Sequence, residues 1–248
     1  MGSKKIDTER RFGGIIRLFG ETQFNRFQSS HVCIIGIGGV GSWVAESMAR
    51  HGVGKITLID MDNIAESNIN RQIHALDSTT GGSKVEVMKE RILDINPSCD
   101  VVCIDDFLTE ENIPIYIKNN LSFVIDAIDQ TKVKICLADY CLNEGIKFLM
   151  VGGAGGRKNP ELVKITNIFK TFGDPLLTKI RQYFNKKIFN KKINKNFPVI
   201  FSSEVIHKPS KGEANFPING LNCDGYGSSP NVTGTFAFIA TSYVLSSL

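Results

Sequence analysis

The sequence predicts an α/β fold: a mainly parallel sheet with helices on both faces, followed by a C-terminal extension of strands and helix. Three observations carry that expectation. Short apolar runs alternate with stretches of helical spacing from His31 to Val151. The first run ends in a glycine-rich turn, and the second ends in a carboxylate, Asp60. Strands joined through helices need crossover connections, which are right-handed and produce parallel pairing.

The first 30 residues, with RRFGGIIRLFG, read as a helical, partly basic segment. His31–Gly36 (HVCIIG) is a buried strand, Val40–His51 a helix and Lys55–Asp60 (KITLID) a second strand. Asp62–Thr80 is polar without a sustained period and reads as a long loop with a turn of helix. Ser83–Ile95 has helical spacing and is ended by Asn96-Pro97. Val101–Ile104 is a third strand, Glu110–Lys118 a helix and Phe123–Ala127 a fourth strand. Thr131–Asn143 is a helix closed by Gly145, and Lys147–Val151 a fifth strand. After Gly152–Gly156 (GGAGG) the rhythm changes, with strands expected at Leu162–Ile168 and Val199–Val205 around a helical Lys/Asn-rich piece. A soft boundary falls near residue 157. Residues 1–30 are then a helical lead, 31–157 a nucleotide-binding core and 158–248 a substrate- or dimer-side extension covering the same sheet. All belong to one domain of 248 residues, long enough to bury a sizeable core.

Composition is that of a soluble globular chain, with 42% hydrophobic and 22% charged residues. The net charge of +4 is modest but uneven: Lys170 to Lys195 holds eight Lys/Arg against one acid, Asp174. The low-complexity run Lys186–Lys195 either meets a polyanion such as an RNA backbone or is simply solvated. The six cysteines contain no C-x-x-C pair, so no structural zinc is expected, and a reducing, cytoplasmic setting is. The polar start, MGSKKIDTER, is no secretory signal, and Ile6 breaks the myristoylation pattern. Val232–Leu248 is apolar and uncharged, but its 17 residues fall short of the about 20 of a membrane span. Val232, Phe236, Ile239, Ala240, Tyr243 and Val244 repeat at helical spacing, so a helix packed on the core is favoured over membrane contact.

Gly36-Ile37-Gly38-Gly39-Val40-Gly41 matches G-x-G-x-x-G after a strand and before a helix, the arrangement of a Rossmann-like nucleotide site. Its glycines permit the turn and let backbone approach a phosphate, and the helix end supplies positive potential. Asp60, 24 residues beyond Gly36, stands where a carboxylate accepts ribose hydroxyls. The next loop separates a nicotinamide dinucleotide from ATP. Ser67-Asn68-Ile69-Asn70-Arg71-Gln72 places amides and a guanidinium after the acidic strand end, and Lys84 opens the following helix. Arg71 and Lys84 suit the extra charge of a triphosphate and of departing pyrophosphate; the plain alternative for each is a surface cation. Asp129 follows the fourth strand, where a carboxylate can hold magnesium or cap the next helix. Asp126 points the other way along the strand and reads as structural.

Together GIGGVGS (Gly36–Ser42), LIDMD (Leu58–Asp62), SNINRQ (Ser67–Gln72), Lys84 and AIDQ (Ala127–Gln130) resemble the ThiF/MoeB superfamily of adenylating enzymes, which includes the ubiquitin-like modifier activators. Five motifs occur in order over about 95 residues. The resemblance implies ATP and magnesium as cofactors, with Gly39, Asp60, Arg71, Lys84 and Asp129 contacting them. It also implies a homodimer in which an N-terminal arginine reaches the partner's ATP. Here Gly13-Gly14 displaces the usual register, leaving Arg17 as the candidate and a solvated helix face as its alternative.

Within that superfamily, RFGGIIRLFG (Arg11–Gly20), MVGGAGGRKNP (Met150–Pro160), FGDPL (Phe172–Leu176), FSSE (Phe201–Glu204) and the ending CDGYGS…VTGTFAFIA resemble the group that dehydrates threonylcarbamoyladenosine in tRNA. That resemblance implies a modified tRNA as partner and a threonyl carboxylate as the group adenylated. The other branch, activators of ubiquitin-like sulfur carriers, usually carries the two C-x-x-C pairs missing here, but sulfur-transfer partner proteins stay open. Cys223 invites comparison with a thioester cysteine; packing or substrate contact is its alternative. His31, His51, His74 and His207 show no ligand spacing.

Overall fold

The computed structural model describes residues 7–189, 196–208 and 226–248. Its centre is a seven-stranded sheet of β1 (His31–Ile35), β2 (Lys55–Ile59), β3 (Asp100–Ile104), β4 (Phe123–Asp126), β5 (Phe148–Val151), β6 (Val163–Asn167) and β7 (Pro198–Ser202). The spatial order is β3-β2-β1-β4-β5-β7-β6. Every pairing is parallel except β6 with β7. Chain order reverses between β1 and β4, the switch point beyond which open α/β sheets bind ligands.

Both faces of the central strands are buried, so β1, β4 and β5 are almost wholly apolar rather than alternating with polar residues. In β1, Val32 and Ile34 turn to one core, and Cys33 and Ile35 to the other. The first core is covered by α1 (Thr8–Phe19), α2 (Glu21–Ser29), α3 (Gly41–Arg50), α4 (Lys84–Ile95) and, later in the chain, α8 (Pro230–Ser247). The second is covered by α5 (Ile113–Tyr116), α6 (Thr131–Glu144) and α7 (Pro175–Phe189). The N-terminal segment is thus two helices, which contribute Phe12, Phe24 and Phe27 to the core.

Two expectations need correction. The helix expected over Glu110–Lys118 is four residues long, with Asn112 at the N-cap position and Pro114 in its first turn; a proline is tolerated there but blocks extension of the helix toward Glu110. The extension beyond residue 157 does not merely cover the sheet. Its β7 pairs with β5 and its β6 forms the sheet edge, and only α7 and α8 cover. No helix among the described residues is long and apolar enough to cross a membrane. In α8, Val232, Phe236, Ala237, Ala240 and Val244 are fully buried.

Candidate active site

The glycine turn is fixed by backbone crowding at two of its ends. Gly36 has φ of +85°, and a Cβ there would lie 2.9 Å from the Ala127 carbonyl carbon. A Cβ on Gly41 would meet the Gly36 carbonyl oxygen at 1.8 Å. These two glycines let α3 start tight against β1 and β4, and Gly38 and Gly39 line the cleft that results. A Cβ on Gly39 would stand 3.2 Å from Thr233 Cγ2 and 3.5 Å from Arg71 Cγ. The turn, the SNINRQ loop and α8 therefore converge.

The cleft holds about 490 Å³ at the carboxyl ends of β1, β2, β4 and β5. Gly36, Gly38, Gly39, Asp60, Asn68, Arg71, Gln72, Lys84 and Asp129 all line it, bringing together most of the residues the sequence singled out. Asp60 accepts hydrogen bonds from the N–H of Ile37 at 2.6 Å and of Asp62 at 2.9 Å. Burial raises its pKa, against the opposing pull of Lys84 and of those two N–H groups. Lys84 is buried, 2.6 Å from Asp62 Oδ2 and 3.9 Å from Asp60 Oδ1. A buried ammonium held between two carboxylates is poised to turn toward an anion entering the cleft.

In the SNINRQ loop, Arg71 Nη1 donates to Ser67 O at 2.7 Å and Asn70 Oδ1 at 2.9 Å. Trp43 Nε1 in turn donates to Arg71 O at 3.0 Å. Asn68 closes its own 3-10 turn by accepting from Ala65 N at 3.1 Å. Asn70 donates to Ser228 O at 3.1 Å and braces Arg71 from outside the lining. Gly41 also stands outside it, acting on the turn's shape.

Asp129 is exposed on the cleft. The alternative of a helix cap does not match the geometry: Gln130 holds the N-cap position of α6, and no side chain caps it. Asp126 is fully buried and pairs with Lys134 at 2.8 Å. The same ammonium donates to Ile128 O at 2.9 Å, which pins the short loop carrying Asp129.

Sequence reasoning misses several of the lining groups. Asp62 stands in LIDMD, and its place beside Asp60 is the signal that could have found it. Asp106, Phe107 and Leu108 enter from the loop after β3, held by Tyr116 Oη donating to Asp106 Oδ2 at 2.7 Å. Gly152–Gly155, Ser228 and Thr233 come from stretches that carry only the family resemblance. Arg17 is exposed at the end of α1 and does not line the cleft of its own chain. Cys223 and residues 190–195 of the Lys/Asn-rich run lie outside the described residues. Lys187 of that run forms an ion pair with Asp139 and sits over the Tyr183 ring at 5.1 Å. No group of three or more His, Cys, Asp or Glu able to hold a metal occurs among the described residues.

Known proteins share this geometry and its sequence. The chain is 43% identical to tRNA threonylcarbamoyladenosine dehydratase of Haemophilus influenzae, over 98% of this chain and 95% of that protein. It is 42% identical to the Escherichia coli protein of the same name, over 95% and 92%. The crystal structure of the Escherichia coli enzyme, TcdA, with AMP superposes with a TM-score of 0.86 at 41% identity, covering 99% of this chain and 96% of that one. A further structure of that enzyme, with ATP, gives the same TM-score. The ThiF family model matches residues 12–187, and the chain belongs to the ThiF family.

Proposed function

We propose that this chain is an ATP-dependent enzyme that dehydrates N6-threonylcarbamoyladenosine in tRNA, next to the anticodon, through an acyl adenylate. The observation that carries this reading is the grouping of Arg71, Lys84, Asp60 and Asp129 around a glycine turn in one cleft. Relatives above 40% identity over nearly the whole chain carry the dehydratase name. The threonyl carboxylate oxygen attacks the ATP α-phosphorus, and the bond to the β-phosphate oxygen breaks to release pyrophosphate. The carbamoyl group then attacks the acyl carbon and expels AMP, losing its proton to solvent. Oxygen leaves the substrate on AMP, so the net change is loss of water.

The nucleophiles belong to the substrate, which leaves the protein orientation and charge stabilisation. Asp60 takes the ribose hydroxyls, Gly38 and Gly39 let backbone approach the phosphates, and Arg71 and Lys84 face the departing charge. Magnesium fits this donor set, since it is commonly held by one or two carboxylates plus phosphate oxygens. Asp129 would hold it, and the ion would neutralise phosphate charge.

Contact with RNA is supported near β6, the edge strand that carries Lys164. Phe172 is 52% exposed there, with Lys164 Nζ 5.5 Å from its ring centroid; an exposed ring beside a cation suits a stacked base. A homodimer fits the outer face of α8, where Asn231, Phe238 and Ser242 are exposed and uncharged. A cytoplasmic setting follows from a tRNA substrate. The test is mass analysis of nucleosides after incubating modified tRNA with ATP, magnesium and the protein: the cyclised nucleoside is expected, 18 mass units lighter by loss of water. Pyrophosphate exchange stimulated by a ubiquitin-like sulfur carrier, and not by the tRNA, would replace this reading with the MoeB-type one.

A further inference from the structure

One wall of the cleft is the loop after β5, and the acceptors of its backbone N–H groups separate two residues from their neighbours. Gly152 N–H donates to Ile200 O at 2.8 Å and Gly156 N–H to Gly227 O at 2.9 Å. Gly153 N–H donates to Asp174 Oδ2 at 2.9 Å. That leaves Ala154 and Gly155, which both line the cleft. Neither N–H has an acceptor among the described residues. An N–H group on a cleft wall that has no acceptor in its own loop is free to meet a ligand, and successive N–H groups in a turn form an anion-binding concavity.

The loop's shape is set by a buried ion pair. Asp174 and Arg157 are 2% and 1% exposed, with Arg157 Nη2 3.7 Å from Asp174 Oδ2. Arg157 Nη1 donates to Gly153 O and, at 3.4 Å, to Gly155 O. Asp174 also accepts from the N–H groups of Leu176 and Leu177 at the start of α7, at 2.9 and 3.1 Å. Even Gly152 is dictated by this anchor: a Cβ there would lie 2.6 Å from Asp174 Oδ2. The anchor therefore clamps both ends of the exposed pair of N–H groups.

Strand order then assigns the pair a task. The phosphate turn follows β1, Asp129 follows β4 and this loop follows β5, side by side in that order. A triphosphate on the β1 side places its α-phosphorus near the middle and the activated acid on the β5 side. We propose that the Ala154 and Gly155 N–H groups hold the acyl oxygen of the carboxylate being activated, and that Asp174 and Arg157 are the positioning residues for that pair. The N–H groups orient the carboxylate for attack and then receive the negative charge that builds on the acyl oxygen as the carbamoyl group adds. This assignment rests on the adenylation reading above.

The direct test replaces Ala154 by lactic acid through nonsense suppression, which exchanges one N–H for an ester oxygen and keeps the chain's shape. ATP binding with magnesium should be unchanged, and turnover of modified tRNA should fall about 100-fold, the scale for one oxyanion donor. Turnover within about twofold of wild type would overturn the proposal, being below any donor's effect. Asp174→Asn keeps an oxygen for capping α7 and removes the charge facing Arg157. It should lower kcat at least about tenfold through misplacement with KM for ATP unchanged; a rise in KM for ATP at constant kcat would count against the assignment. A wild-type protein that leaves the tRNA unchanged but exchanges pyrophosphate with a sulfur carrier defeats the tRNA reading alone. The ester variant is then scored on that exchange, where loss supports the N–H pair and retention overturns it.

Discussion

Lys134 Nζ lies 2.8 Å from Asp126 Oδ1, and both side chains are completely buried beneath the loop that carries Asp129. Such a pair costs desolvation on both sides, and removing one partner leaves a buried charge. Burial already raises the Asp126 pKa, and Lys134 opposes that rise. We expect Lys134→Met to destabilise the protein by roughly 3–5 kcal/mol in urea unfolding. Adding Asp126→Leu should restore much of that loss, while pyrophosphate exchange stays low in both variants because Ile128 O has lost its anchor. A single variant as stable as wild type would show that the pair does not hold this loop.

Arg71→Ala and Asp129→Ala test the charge in the cleft. Both side chains stand outside the core, so the fold should survive by circular dichroism. Pyrophosphate exchange should drop by about 100-fold or more in each, the scale for removing a preorganised charge contact. Chelating magnesium should stop the wild-type reaction, and excess magnesium should partly rescue Asp129→Asn but not Arg71→Ala. Near-normal turnover in both alanine variants would remove the site assignment.

The parts legible in the sequence are those fixed by local chemistry. HVCIIG reads as a buried strand because both faces of β1 are covered, and the glycines after it announce a turn needing a positive φ at Gly36. Asp60 and Lys84 are legible because one directly follows a strand and the other opens a helix, and Arg71 because the SNINRQ motif carries it. Lys134 is not, since within TKVKICLADYC it looks like an ordinary helix cation. Only the fold brings Asp126 beneath it. The Asp174–Arg157 pair escapes for the same reason: 17 residues separate the partners, and no periodicity reports their contact. The placing of β7 between β5 and β6 is likewise invisible, because it is settled by tertiary pairing rather than by the strand's own composition.

Glycines in this chain should split sharply on substitution. Gly41→Ala places a Cβ 1.8 Å from Gly36 O and 3.0 Å from its carbonyl carbon, and this backbone cannot swing aside as a flexible side chain could, so ATP binding should be lost along with stability. Gly14 sits in α1, exposed, and a methyl group added there would meet nothing within 4 Å. Gly14→Ala should stabilise the chain by about 0.5–1 kcal/mol through helix propensity and leave ATP binding unchanged. Thermal melts with and without ATP separate the two. Equal losses in both would mean that crowding at the glycine turn is not what demands glycine.

Buried His74 makes the stability of the fold depend on pH. The residue is 1% exposed, and neither ring nitrogen has a hydrogen-bond partner among the described residues. Burial lowers its pKa to about 4, helped by the positive charges of Lys84 and Arg91. The unfolded chain binds a proton at this residue near the ordinary value of 6.5, and the folded chain resists doing so. The stability this histidine contributes is therefore complete above that value and is lost as pH falls toward its folded pKa. At 1.36 kcal/mol per unit, lowering the pH from 7.5 to 5 should cost roughly 2 kcal/mol at this site alone. Replacing the ring by an apolar group in His74→Leu removes the titration, so the variant should gain that amount on wild type over the same range. Urea midpoints for both proteins at the two pH values check it, and parallel losses in wild type and variant would show that His74 is not the group responsible.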